Sequence, residues 1–251
     1  GIGYATILVN ILGVFLILLK VLKSKRIIGL SIKYFIPNSN LLKKLFFQSA
    51  PISAALLLIS VGNFIILTYI GVFGEYAVAG FGSAARFEQI LLLPVLGLNT
   101  AIISIIGQNF GAKNFIRVQE SYFTAVKYGF ILMIISGSII FLSADKIVGI
   151  FSDNPVVISY GTTYLKISAL IFPAYPIFFI SNGFFMAIKK SKNSMYLNVI
   201  RNIILPIPTI LAANAIDGSF ETFFWCYCFA NWFYVLCLFV YVRSYIKKKI
   251  L

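Results

Sequence analysis

R-F-E-Q-I-L-L-L-P-V-L-G-L-N-T-A-I-I-S-I-I-G-Q-N-F-G-A-K-N-F-I-R-V-Q-E, from Arg86 to Glu120, is the stretch on which the reading of this chain turns. It opens as an apolar run that carries a carboxylate, Glu88, and a proline, Pro94. It closes in a Gly/Gln/Asn cluster followed by basic residues. An acid within a membrane-length helix costs about 2.5–3.5 kcal/mol on insertion scales, so such a group normally faces protein or water and serves a function.

The surrounding composition supports a membrane setting. Of the 251 residues 60% are hydrophobic and only 11% charged, and the mean hydropathy is +0.96. A soluble domain carries roughly 25% charged residues. The apolar runs are long and nearly continuous, unlike the short alternating segments of an outer-membrane barrel. The fold class expected is an all-α polytopic membrane protein.

A net charge of +14 raises the question of nucleic acid, but the basic residues sit mostly between apolar runs. There they meet lipid headgroups and set topology, so membrane lipids are the expected partners and nucleic acid is not. There is no histidine, the commonest general base and metal ligand. Cys226, Cys228 and Cys237 all lie in the last apolar run, where packing is the expected role. No paired carboxylates, P-loop or G-x-S-x-G appear. The chain therefore reads as a non-enzyme without a cofactor, and with no metal beyond a sodium ion at Glu88.

In order along the chain, apolar spans are expected at about residues 1–22, 45–73, 76–107, 117–142, 155–188, 195–216 and 220–241, about seven in all. A basic linker, 23–44, separates the first from the rest. With alternating sides, the loops holding Lys20–Lys44, Lys113–Arg117, Lys189–Lys192 and Arg243–Lys249 share one face. Glu75, Asp145, Asp153, Asp217 and Glu221 share the other, with Lys146 as its one basic residue. This is the positive-inside pattern, which puts the C-terminus in the cytoplasm. The chain begins at Gly1 rather than Met and is expected to be the C-terminal part of a longer protein.

Glu88, about 12 residues below the preceding turn, lies roughly 18 Å into its helix at 1.5 Å per residue. It is the candidate site for a proton or a small cation. Arg201, about 10 Å inside its own helix, is the candidate partner. Arg86 stands two residues away and points to another side of the helix. Lys127 and Lys166 are expected to snorkel to the headgroups. Pro94 frees the carbonyl of Ile90 from helical bonding, which offers either a ligand for a cation or a bend. Asn63 and Asn99, with Asn182, Asn198 and Asn202, are expected to line a path or to bond between helices.

These residues also carry a resemblance. Arg86, Glu88, Pro94, Gly97 and Ala101 run into a G-Q-N-x-G-A turn at Gly107, Gln108, Asn109, Gly111 and Ala112, and then Arg117. Y-L-K-I-S-A at Tyr164–Ala169 and R-N-I-I-L-P at Arg201–Pro206 follow. Together they resemble the second half of the multidrug and toxic compound extrusion (MATE) transporters. The resemblance implies twelve helices in two six-helix lobes. Residues 1–22 would be the last helix of the first lobe, 23–44 the cytoplasmic inter-lobe linker, and 45–251 the second lobe, with the N-terminal lobe supplied upstream.

It further implies export of cationic or amphipathic drugs in exchange for protons or sodium, across the cell (inner) membrane. Acids that some members carry in the first helix of this lobe, or in the fifth span, are absent from residues 51–63 and 160–188. Coupling in this lobe then falls to Glu88, unless it lies in the first lobe. Two alternatives remain: a lipid-linked oligosaccharide flippase of the same superfamily, or a membrane protein that transports nothing.

Overall fold

The structure, a computed structural model, describes residues 2–23 and 38–249. Most of the expected linker, residues 24–37 with Lys25, Arg26, Lys33 and Pro37, lies outside the described residues. The chain divides into two compact units, residues 1–47 and 48–251. In the first, helix α1 (Ile2–Lys23) is about 33 Å long at 1.5 Å per residue, enough for the roughly 30 Å hydrocarbon layer. Its apolar side chains, Tyr4 and Phe15 among them, are exposed along its length.

Helix α2 (Ser39–Gly71) begins in the first unit and continues into the second. The second unit then holds α3 (Glu75–Gly111), α4 (Phe115–Gly149), α5 (Pro155–Ile171), α6 (Ala174–Ala187) and α7 (Ser191–Val199). A π-helical turn, Ile200–Ile204, leads into α8 (Pro206–Ile216), and α9 (Phe220–Lys249) follows. Among the described residues six helices are long and apolar enough to cross a membrane, or seven when the bent pair α5–α6 counts as one span. The division matches the spans expected from hydropathy.

Local chemistry accounts for the boundaries. Gly74 turns the chain between α2 and α3 at φ 96°, a conformation open to glycine at little cost. The Asn114 side chain accepts from Arg117 N at 3.3 Å to cap α4. Asn154 accepts from Val156 N at 2.9 Å, with Pro155 at the first helical position, where its missing N–H costs nothing. Ser219 caps α9, its Oγ accepting from Thr222 N at 3.1 Å, and Asp217 in turn accepts from Ser219 N and Thr222 Oγ1, each at 2.9 Å. These bonds hold its carboxyl below the usual carboxylate range.

Prolines act unequally. α2 and α3 run through Pro51 and Pro94 without interruption, whereas α5 and α6 meet at a 57° bend beside Pro173. Pro206, which cannot donate a backbone hydrogen bond, follows the π turn in which Leu205 N reaches back five residues to Ile200 O at 2.8 Å.

α3, α4, α5 and α6 pack around one core, with α9 laid against α5 and α6 and α8 against α9. The densest crossing is between α3 and α5, where Gly80 and Gly161 face each other. A Cβ on Gly80 would lie 2.6 Å from Val157 O and 2.8 Å from Gly161 N. Small residues allow such backbone approach in membranes, where van der Waals packing largely replaces the hydrophobic drive. Hydroxyls facing outward bond back along their own helices, as Ser83 does to Ala79 O (2.9 Å) and Thr100 to Leu96 O (2.9 Å). Lys166, expected at the headgroups, pairs with the exposed Asp145 at 3.6 Å.

Lys113 ends α3 with φ 58°. Its N–H meets Phe110 O at 3.1 Å while Asn114 N reaches Asn109 O at 2.8 Å, the Schellman arrangement usually built on glycine. A left-handed conformation costs a side-chain-bearing residue about 1 kcal/mol or more. Lys113→Gly is therefore expected to raise the melting temperature by about 2–4 °C in a thermal unfolding scan. An unchanged or lower midpoint would refute the strain assigned to this position.

Candidate functional site

Glu88 sits on the inner face of α3 and is 8% exposed. α5 presents Tyr164 and Ser168, four residues apart and so on one helix face; α6 presents Tyr175 from beyond the bend. The hydroxyls of Tyr164 and Ser168 both donate to Oε2, that of Ser168 at 2.8 Å, and the Tyr175 hydroxyl donates to Oε1 at 2.5 Å. All three partners are themselves buried. The bend thus directs side chains from both halves of one span onto a single carboxylate.

Rings hold the donors in place. Tyr164 packs between Phe81 and Phe224, each with ring centroids at 4.8 Å. The Tyr175 ring stacks on Phe172 at 5.9 Å. Its face also receives Arg201, whose guanidinium carbon lies 4.8 Å from the Tyr175 centroid, 4.2 Å from Phe178 and 5.8 Å from Phe179. Guanidinium over aromatic faces is a favourable electrostatic contact, stronger when desolvated.

Arg201 is therefore not the salt-bridge partner that its depth suggested. Among the described residues the one ion pair within 4 Å is Lys166–Asp145. The reason is geometric: the π turn carries Arg201 to the aromatic side of Tyr175, while Glu88 meets the opposite, hydroxyl end. Tyr175 links the two charges without letting them touch.

The other expected site residues do not gather at Glu88. Asn63 is exposed on α2; its neighbour Gly62 is the residue that packs closely on Asn202. Asn99 lies 11 residues past Glu88, about 16 Å along α3. Its Oδ1 is buried with no hydrogen-bond partner and faces Gly183 of α6. Pro94 is exposed on an uninterrupted helix.

Gly107, Gln108, Asn109 and Gly111, expected in a turn, form the last helical turn of α3, and the chain reverses after them. Asn109 donates to Ile105 O at 2.8 Å, and Gln108 donates to Ser104 Oγ at 3.3 Å. Their part is to close the helix. Asn182 accepts from Ser194, and Asn198 and Asn202 bond back along α7 and the π turn at 2.9 and 3.0 Å. Of these contacts the Ser194–Asn182 bond joins two helices, α7 and α6, and the other two stay within their own segment.

Sequence reasoning missed Tyr164, Ser168 and Tyr175 as the partners of Glu88. The available signal was the Tyr/Ser pair at four-residue spacing, which puts both hydroxyls on one face of α5.

Chemically, an ionised carboxylate has about four lone-pair positions and no proton to give; here three are filled by hydroxyls. Once protonated, it carries an O–H that needs an acceptor, so at least one hydroxyl must turn. A small hard cation is suited to the same carboxylate and hydroxyl oxygens. In either case occupancy of Glu88 is tied to the seating of α5 and α6.

Residues 51–211 match the family model described as MatE. The chain is 22% identical over 223 residues to "Multidrug export protein MepA" of Staphylococcus saprophyticus, covering 87% of this chain and 48% of the relative. It is 27% identical over 158 residues to "Probable multidrug resistance protein YpnP" of Bacillus subtilis, covering 63% and 36%.

Among solved structures, a "MATE in the straight conformation" superposes with a TM-score of 0.88 at 20% identity, over 97% of this chain and 55% of that one. A "MOP superfamily transporter" from Pyrococcus furiosus, described as having a binding pocket of reverse polarity, gives 0.82 at 21% identity, over 90% and 52%. These structural likenesses concern the fold. The chain spans about half the length of the relatives it matches.

Proposed function

The chain belongs to the MatE family, and from that premise we propose that it supplies one lobe of an ion-coupled exporter of cationic or amphipathic compounds. In this reading residues 45–251 are the second lobe, residues 1–22 end the first, and the remainder of that N-terminal lobe, supplied upstream, completes the path. The protein resides in the cell (inner) membrane with its C-terminus cytoplasmic, following the basic loops. The coupling ion, a proton or sodium, binds at Glu88.

One observation carries the proposal: a buried carboxylate on which hydroxyls from both arms of a bent span converge. Bent helices near a lobe's midplane are a common setting for transporter sites. An ion that fills Glu88 repositions those arms, and an arm that moves for a substrate changes the affinity for the ion. Such coupling is reciprocal by linkage. A flippase reading would draw on arginines facing a cavity. Arg201 instead spends its charge on the faces of Tyr175 and Phe178, so the exporter reading is favoured.

The test is dye movement in proteoliposomes. With both lobes present, ethidium is expected to move against its gradient only when a pH or sodium gradient is imposed. The 251-residue chain alone should insert without transporting, because a path between lobes needs both walls. Gradient-driven efflux by the chain alone would refute the half-transporter reading. Efflux indifferent to both gradients would refute the coupling.

A further inference from the structure

The α7 and α9 helices form a second feature, away from Glu88. Near the lysine-bearing ends of the loop before α7 and of α9, a pocket of about 340 Å³ is lined by Lys190, Asn193, Tyr241, Ser244, Tyr245 and Lys248. It holds two ammonium groups, a hydroxyl, an amide and two phenols, and among the described residues no carboxylate lines it. Asn193 Nδ2 donates to Tyr241 Oη at 3.2 Å across its inner edge. The same two residues line a second, larger groove of about 540 Å³, which continues between Tyr196, Leu197 and Ile200 of α7 and the π turn and Tyr234, Cys237 and Leu238 of α9.

The spacing explains the continuity. Residues 193, 196, 197 and 200 lie on one face of their helical segment, and 234, 237, 238, 241, 245 and 248 on one face of α9, at steps of three and four. From Asn193 to Ile200, and from Tyr241 back to Tyr234, the groove runs about 10 Å at 1.5 Å per residue. It is polar and cationic at one end and apolar along the rest.

We infer that this site binds an anionic glycerophospholipid. Its phosphate sits against Lys190 and Lys248, within reach of Ser244 and the Tyr241 hydroxyl, and one acyl chain lies along the groove. Lysine donates to phosphate as a mobile point charge, and basic residues at a membrane surface attract anionic lipids. Tyrosines at headgroup level are favoured because each ring has an apolar body and a polar tip. The charge is what distinguishes this groove. The one between α3 and α4 sets Glu120 beside Arg117, and the one between α4 and α5 has no charged lining residue.

Native mass spectrometry of the purified 251-residue chain in detergent tests the assignment. The probes are palmitoyl-oleoyl phosphatidylglycerol and palmitoyl-oleoyl phosphatidylcholine, whose acyl chains are identical. Retention of the glycerol lipid is expected to exceed that of the choline lipid at least fivefold. Lys190→Gln with Lys248→Gln should bring the two level without lowering the choline lipid, so that misfolding cannot imitate the result. Cys237→Phe, which places a ring in the groove, should weaken both lipids about threefold.

Lys43→Gln with Lys44→Gln should change nothing, and millimolar inorganic phosphate should fail to displace the lipid. Equal retention of the two lipids by the unaltered chain would overturn the assignment. So would full selectivity in the Lys190/Lys248 variant, an unaffected Cys237→Phe variant, displacement by phosphate alone, or equal loss in the Lys43/Lys44 control.

Discussion

Glu88→Gln in the two-lobed transporter is expected to reduce gradient-driven dye efflux at least tenfold while membrane levels stay within about twofold. The amide keeps the shape of the side chain and offers one oxygen to the ring of donors from Tyr164, Ser168 and Tyr175. Its NH2 requires one of those hydroxyls to accept instead of donate, which a hydroxyl does by rotation. The variant therefore resembles a permanently protonated site, folded but unable to release a proton or to attract a cation.

Glu88→Asp retains the charge at shorter reach and should keep part of the activity. Tyr175→Phe leaves the carboxylate in place but removes the contact that links it to the ring beneath Arg201. Its efflux should persist with an altered dependence on the imposed gradient. Because Arg201 does not pair with Glu88, Arg201→Gln is not expected to rescue Glu88→Gln. Efflux by Glu88→Gln with the normal response to pH or sodium would remove the coupling role from this residue.

Gly80→Leu should strongly disrupt the second unit. A Cβ at this position meets Val157 O at 2.6 Å, Gly161 N at 2.8 Å and Tyr160 Cβ at 3.0 Å. Two of these are backbone atoms of α5 and cannot swing aside, so α3 and α5 must part. Overpacking of a tight core costs about 1–3 kcal/mol, and the larger value corresponds to roughly 6–12 °C in melting temperature for a unit of this size.

The consequence reaches the site. Glu88 follows Gly80 by two turns, about 12 Å, and Tyr164 and Ser168 follow Gly161 on α5. Separation at the glycine contact carries the carboxylate away from two of its three donors, so efflux should fall even in protein that survives purification. Gly82, with nothing within 4 Å of a Cβ, is the internal control. Gly82→Ala should be neutral or stabilising by up to about 1 kcal/mol, the helix-propensity difference. Equal melting temperatures for Gly80→Leu and Gly82→Leu would show that the close approach does not support the fold.

The amino-acid sequence by itself determined which segments are membrane-length helices and several of the turns between them. Apolar runs of membrane length, glycine at 74, and asparagine at 114 and 154 act through the few residues around them, so their effects can be read in order along the chain. The burial of Glu88 was legible for the same reason: an acid in a long apolar run has few places to go other than the protein interior. Two local signals misled. Pro94 lies within an unbroken helix while Pro173 sits at a 57° bend, because neighbouring packing decides which proline interrupts a helix. Gly107–Gly111, composed like a turn, complete α3 instead.

Only the tertiary structure decided what Glu88 touches. Its donors lie 76, 80 and 87 residues away, and they meet because the Gly80–Gly161 contact seats α5 on α3 and the bend returns Tyr175 toward both. Arg201 was read as the partner of Glu88 and lies instead over the rings of Tyr175 and Phe178. A cation in a low-dielectric interior can be satisfied by a carboxylate or by the faces of several rings, and helical periodicity contains no information about which of them a neighbouring helix will present.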